Sequence, residues 1–199
     1  MKLVLASASP RRAEILRNAG IDFAVQATQI DESLRTGESP TDYVRRLALE
    51  KARAAARELG ILPARNALIV GADTVVVIGE EILGKPSSMD DAGRMLRLLS
   101  GRTHEVHTGL ALLCPSDGNE RVIEEVTRVT FAPLTLQEIE SYLATGEPMD
   151  KAGSYAIQGL AGRYVTRIEG CYFNVMGLPL ARLWTLLREF ERNSLTTGV

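Results

Sequence analysis

The stretch that most constrains the fold is 67–77, ALIVGADTVVV. A run this apolar and this rich in β-branched residues reads as a strand buried on both faces, at the centre of a sheet with helices on either side. Its one charge is Asp73. A carboxylate is costly to bury unless it is paired, hydrogen-bonded or bound to a metal. Asp73 is therefore either a working group where the strand meets a cleft, holding a metal or activating water, or a structural carboxylate capping a neighbouring loop. Buried acids cluster at working sites, which favours the first. Gly71, two residues earlier, would leave room for a ligand to approach the backbone.

The remaining elements follow from period and punctuation. Residues 2–6 (KLVLA) read as a short buried strand. Ser7-Ala8-Ser9-Pro10 then turns the chain into a helix, with Ser9 as N-cap and Pro10 as first helical residue. Ile15, Leu16 and Ala19 give that helix an apolar face, and Gly20 ends it. A second helix over 41–59 carries Val44, Leu47, Ala48, Ala52, Ala55, Ala56 and Leu59 at helical spacing and arginines on its other face. Gly79-Glu80-Glu81 reads as a turn into a short return strand ending at Lys85-Pro86. A third helix spans 89–99, capped by Ser88. Two long strands, 103–113 and 121–131, join at the polar turn 115–119. A fourth helix covers 136–144. Residues 164–168 and 171–175 read as a hairpin about Glu169-Gly170. A closing helix spans 180–191, with Trp184 and Leu187 in its core face and a frayed tail after Asn193. The pattern is that of an α/β protein with a mixed, twisted β-sheet flanked by helices. With no internal repeat and no low-complexity linker, 1–199 reads as a single domain.

Composition narrows the function. The chain is 45% hydrophobic and 24% charged, so a packed core is expected. A net charge of −2 argues against a general nucleic-acid or membrane-surface binder. No apolar run is long enough to span a bilayer, and the opening one is too short for a signal peptide. The two cysteines, Cys114 and Cys171, form neither a metal-type pair nor a disulfide framework. They read as free thiols in a reducing compartment, so the expected location is cytoplasmic.

Several further constellations could carry chemistry. In Ser7-Ala8-Ser9-Pro10-Arg11-Arg12, a helix start offers backbone N–H groups and a partial positive charge to phosphate. Its arginines and serines add donors that match phosphate oxygens; an ordinary capped helix with solvated arginines has the same pattern. Asp31-Glu32 could ligate Mg²⁺, which needs only one or two carboxylates beside substrate phosphates, or could be a polar loop. Lys51 in its helix and Lys85 in Gly84-Lys85-Pro86 could neutralise a polyphosphate or be solvated surface; Lys85, on a loop, is the stronger candidate. The segment 150–159, DKAGSYAIQG, interleaves small and polar residues, and Gln158 can donate and accept at once, as a base edge requires. It also reads as a glycine-rich loop without a ligand. His104 and His107 are spaced wrongly to share a strand face and are not read as metal ligands.

Taken together, LASASPRRAEIL at the start, DES at 31–33, EKA at 50–52, GADTVV at 71–76, GKP at 84–86, DKAGSYAIQG at 150–159 and VMGLPL at 175–180 resemble the Maf family of nucleotide pyrophosphatases over nearly the whole chain. The resemblance implies a fold similar to the inosine-triphosphate pyrophosphatases, in two lobes with the site in a cleft. It implies hydrolysis between the α- and β-phosphates of a nucleoside triphosphate with Mg²⁺ or Mn²⁺ as cofactor. It makes Asp73 the proton acceptor, with Glu32 and Asp73 helping to place the metal. Arg11, Thr74 and Gln158 would set base preference, and Ser7, Ser9, Arg12, Lys51 and Lys85 match further polar positions of the pocket. DKAGSYAIQG is similar to the subgroup directed at dTTP and UTP, and modified pyrimidine nucleotides are further candidate substrates. The family implies house-cleaning of nucleotide pools, a link to arrest of cell division, and compatibility with a homodimer. Two other readings stay open: a purine-directed pyrophosphatase acting on 7-methyl-GTP or ITP, and a nucleotide-binding regulator of division that does not hydrolyse.

Overall fold

A computed structural model of the protein describes residues 2–60 and 67–196, with 193–196 by their backbone alone. The strands form a mixed sheet in the order β2-β1-β3-β5-β6-β7, with β4 paired to β3. They are β1 Lys2–Ala6, β2 Phe23–Val25, β3 Ala67–Ile78, β4 Glu81–Leu83, β5 Thr103–Cys114, β6 Asn119–Phe131 and β7 Val165–Glu169. β1 runs parallel to β2 and β3, while β3–β4 and β6–β7 are antiparallel. The chain divides into two compact units, Met1–Asp73 with Gly109–Glu125 and Gly177–Val199, and Thr74–Thr108 with Val126–Met176. The mixed α/β architecture is the one the sequence predicts.

In the first unit, α1 (Pro10–Asn18) begins at an extended Ser9 with Pro10 in its first turn, and no side chain caps it. The α2 helix (Pro40–Leu59) is capped by Ser39, whose hydroxyl accepts from the Asp42 amide. Its stripe of Val44, Leu47, Ala48, Ala52 and Ala55 is fully buried, and Ala48, Ala52 and Ala55 pack with Val4, Ile69 and Ala111. Small residues bring that helix very close. A Cβ on Gly71 would lie 2.0 Å from the Ala48 carbonyl oxygen, and one on Gly109 2.1 Å from that of Val44. Gly71 therefore serves helix-on-strand packing and leaves no room for a ligand, contrary to its expected use. The closing helix, α6 (Leu180–Thr196), extends past Asn193, where fraying is expected; 197–199 lie outside the described residues. It buries Leu183, Leu186 and Phe190, whereas Trp184 is 53% exposed. The expected placement of Trp184 in the core is wrong, because the buried stripe lies one residue off.

In the second unit, α3 (Met89–Leu99) and α4 (Leu136–Leu143) pack Met95, Leu96, Leu99, Ile139 and Tyr142 against Val76, Val106, Val129 and Phe131 of the strands. Ser88 caps α3, and Thr135 with Glu138 forms a capping box on α4. The expected hairpin over 164–175 forms only in its first arm, β7. Its second arm is a short helix, α5 (Tyr172–Val175), because Thr127 captures the Cys171 backbone and the Asn174 side chain turns onto Val106 and Thr127. The Cys171 amide donates to Thr127 Oγ1 at 3.0 Å, and Asn174 Nδ2 donates to the Val106 carbonyl at 2.9 Å. β2 had no clear signal in the sequence.

Candidate functional site

The parallel pairing of β1 with β3 sets Ala6 opposite Gly71. The chain leaving β1 therefore turns into α1 beside Ala72 and Asp73, at the carboxyl end of a parallel strand. Open α/β sheets place their ligands at such edges.

Four side chains from separate segments of the first unit converge there. Lys51 Nζ, from α2, lies 2.6 Å from Asp73 Oδ1 and 2.7 Å from Glu32 Oε1. Lys51 and Asp73 are buried, while Glu32 stands on the exposed loop 31–37. The two carboxylates thus share one ammonium, which supplies the counter-charge that burial of Asp73 demands. Arg12 is buried as well. Its Nε donates to the Gly177 carbonyl at 2.7 Å, and its Nη1 to the Ala72 carbonyl at 2.7 Å and to Ser7 Oγ at 3.1 Å. Burial pulls the Arg12 guanidinium below its ordinary pKa, against the opposing pull of the nearby Asp73 charge. Arg12 thereby ties the start of α1 to the residue next to Asp73 and to Gly177. Ser7 Oγ also accepts from the Ser9 amide at 3.2 Å. Ser9 and Arg11 are half-buried at the helix start.

Thr74, Lys85 and Gln158 belong to the second unit. Thr74 Oγ1 is 2.9 Å from Thr108 Oγ1, which donates to the Asn174 carbonyl at 3.2 Å. Lys85 is exposed just beyond β4. Gly153 donates its amide to the Gly84 carbonyl at 3.0 Å, so DKAGSYAIQG meets GKP through the backbone. Within that segment Gly153 to Ile157 are buried and Gln158 is exposed. A Cβ on Gly153 would meet Val76 at 2.7 Å, so this glycine accommodates a strand side chain. Tyr155 packs edge-on against Phe131 and His104, and its hydroxyl lies 2.8 Å from His104 Nε2. His107 pairs with Glu105 at 3.2 Å.

Among the described residues no group of three or more His, Cys, Asp or Glu is gathered to hold a metal by itself. Cys114 and Cys171 are free thiols. No helix of the described residues is long and apolar enough to cross a membrane. Sequence reasoning saw the arginine-rich face of α2 but missed what it does: Tyr43 and Arg46 reach the loop that carries Glu32, with Tyr43 Oη donating to the Glu32 carbonyl at 2.7 Å. The helical spacing of 43 and 46 was the available signal.

A buried acid with a lysine counter-ion, a helix start and a buried arginine thus meet at one strand edge of an α/β fold. The family described as Maf-like protein matches residues 2–190, and the chain belongs to that family. It is 52% identical over 189 residues to the dTTP/UTP pyrophosphatase of Moorella thermoacetica, covering 95% of each chain. To the dTTP/UTP pyrophosphatase of Koribacter versatilis it is 50% identical over 189 residues, covering 94% of each. The solved structure of the Staphylococcus aureus Ham1 protein has the same fold at 16% identity, with a TM-score of 0.51 over 95% of this chain and 99% of that one.

Proposed function

We propose that the protein hydrolyses dTTP and UTP to the nucleoside monophosphate and pyrophosphate, with Mg²⁺ or Mn²⁺ as cofactor. The observation that carries this reading is the Glu32–Lys51–Asp73 cluster beside the start of α1, in a chain that shares half its sequence with proteins named for that activity.

The donor set fits a divalent metal. Glu32 and Asp73 are hard oxygen ligands already gathered about one cation, the Lys51 ammonium. Mg²⁺ at a phosphate site needs no more than one or two carboxylates, because substrate oxygens and water complete its shell. Glu32 and Asp73 would hold it, and the ion would neutralise phosphate oxygens as a Lewis acid.

The protein's own groups divide the rest of the work. The backbone amides and partial positive charge at the start of α1, with Ser7, Ser9, Arg11 and Arg12, form the phosphate-facing edge. Lys51 and Lys85 add positive charge against the polyphosphate as it shifts toward the leaving group. Asp73 accepts a proton from the attacking water. The water oxygen bonds to the α-phosphorus, the bond from that phosphorus to the α–β bridging oxygen breaks, and pyrophosphate carries the electron pair away. Arg11, Thr74 and Gln158 set the base preference. A site that hydrogen-bonds a pyrimidine edge rejects a base that leaves those groups unpaired. The free thiols of Cys114 and Cys171 suit a reducing, cytoplasmic setting.

The test is pyrophosphate release from dTTP, UTP, CTP, ATP, GTP, ITP and 7-methyl-GTP, with Mg²⁺, with Mn²⁺ and with chelator. Metal-dependent release from dTTP and UTP above the others is the expected result. Release chiefly from a purine would overturn the substrate, and release from none would overturn the activity.

A further inference from the structure

The loop carrying Glu32 has no strand or helix of its own, and residues 31–37 are exposed. It is held by one stripe of α2. Tyr43 Oη donates to the Glu32 carbonyl at 2.7 Å. Arg46 Nη2 donates to the next carbonyl, Ser33, at 3.0 Å. The same guanidinium grips Glu38 with both arms, Nε to Oε1 at 2.5 Å and Nη2 to Oε2 at 2.7 Å. Glu38 Oε2 in turn accepts the Arg35 amide at 3.1 Å. Glu50 completes the stripe, accepting from Arg46 at 3.3 Å and from Arg35 at 3.0 Å.

This differs from an ordinary surface ion pair, which contributes about 1 kcal/mol or less. The side chains of Arg46 and Glu38 are only 12% and 8% exposed, in a loop that is otherwise open. Their geometry is bidentate, and Arg46 fixes the Ser33 carbonyl while Tyr43 fixes the adjacent one of Glu32. The helix that contributes Lys51 to the Glu32 carboxylate therefore also fixes the Glu32 main chain.

We infer that Arg46, acting with Glu38 and Tyr43, is a positioning residue that sets the Glu32 carboxylate against Lys51 and Asp73. This rests on the proposed function, in which Glu32 places the metal. Arg46 touches neither substrate nor metal and works through the loop. Outer groups that orient metal ligands typically change metal affinity or activity by about 10- to 100-fold when removed.

The test uses Arg46→Met, with Glu38→Gln as a milder second variant, in the full chain. Two readings are taken: half-saturating Mg²⁺ in dTTP hydrolysis, and hydrogen exchange of the Ser33 and Arg35 amides without metal or nucleotide. Half-saturating Mg²⁺ should rise about tenfold in Arg46→Met, and both amides should exchange faster. In a Glu32→Gln background, Arg46→Met should raise half-saturating Mg²⁺ no further, since the two act as one unit. A lower melting temperature with unchanged half-saturating Mg²⁺ would overturn the inference, as would an equal rise in both backgrounds. Should the unsubstituted protein release no pyrophosphate, the proposed function fails by itself. The exchange rates then still decide: unchanged rates in both variants refute the clasp, and faster ones support it.

Discussion

Replacing Lys51 by Met tests whether the site is built around one shared cation. The Lys51 and Asp73 side chains are each 11% exposed, and Glu32 is 52% exposed. Water screens the Glu32 half of the interaction, so its loss contributes little. Asp73 decides the outcome, since removing one partner of a buried pair costs about 3–5 kcal/mol. The Arg12 charge also acts on Asp73, which places the cost at the lower end, about 3 kcal/mol. For a chain of this size each kcal/mol moves the midpoint by about 2–4 °C, so Tm should fall by roughly 6–12 °C. Adding Asp73→Asn should return most of that loss, because the stranded charge is then gone. Mg²⁺ should raise the Tm of Lys51→Met more than that of the parent, since the ion replaces the missing positive charge and stabilises by mass action. Scanning calorimetry with and without Mg²⁺ measures all three. An unchanged Tm in Lys51→Met, or additive losses in the double variant, would refute the shared-cation reading.

Three further predictions rest on other contacts. Asp73→Asn should abolish pyrophosphate release while far-ultraviolet circular dichroism stays that of the parent; near-normal turnover would remove Asp73 from the proton-accepting role. Gly71→Ala should destabilise by about 3 kcal/mol or more, because its Cβ would sit 2.0 Å from backbone that cannot swing aside. Gly84→Ala, with nothing within 4 Å, is the control in the same denaturant titration, where equal midpoints would refute the packing argument. Burial lowers His104 from an ordinary 6.5 to about 4. Between those values the unfolded chain binds the extra proton, so the His104 contribution should lower stability by up to about 3 kcal/mol as pH drops through that window. Urea midpoints across this range should show the slope in the parent and lose it in His104→Gln.

The legible parts of the fold are those decided locally. The α3 helix occupies the span its apolar period and Ser88 cap predict. β3 declares itself by its near-continuous apolar run, and Asp73 by the cost of burying a charge in it. The misread parts turn on contacts distant in sequence. Residues 171–175 (CYFNV) are rich in strand-forming types, yet Thr127 takes the Cys171 amide and the Asn174 side chain, and the segment winds into α5. In α6 the buried stripe is Leu183, Leu186 and Phe190, while Trp184 shares its face with Arg188 and Glu191 and lies outside it. Lys51 reads as surface until the fold brings Asp73 and Glu32 to its ammonium.

Arg11 and Arg12 show how far the same limit reaches into the site. In sequence they are equivalent neighbours, but successive residues of a helix point about 100° apart, so only one can face the strand beside α1. Arg12 does, and its Nε and Nη1 are engaged by the carbonyls of Gly177 and Ala72. A lysine there would carry the same charge but only one nitrogen, too few to hold both carbonyls and Ser7 Oγ. On the proposed function Arg12 therefore brings its charge to the phosphate edge while also fixing the strand end at Ala72, against which Asp73 is set. Ser7, Ser9, Arg11 and the backbone of the first helical turn complete that edge.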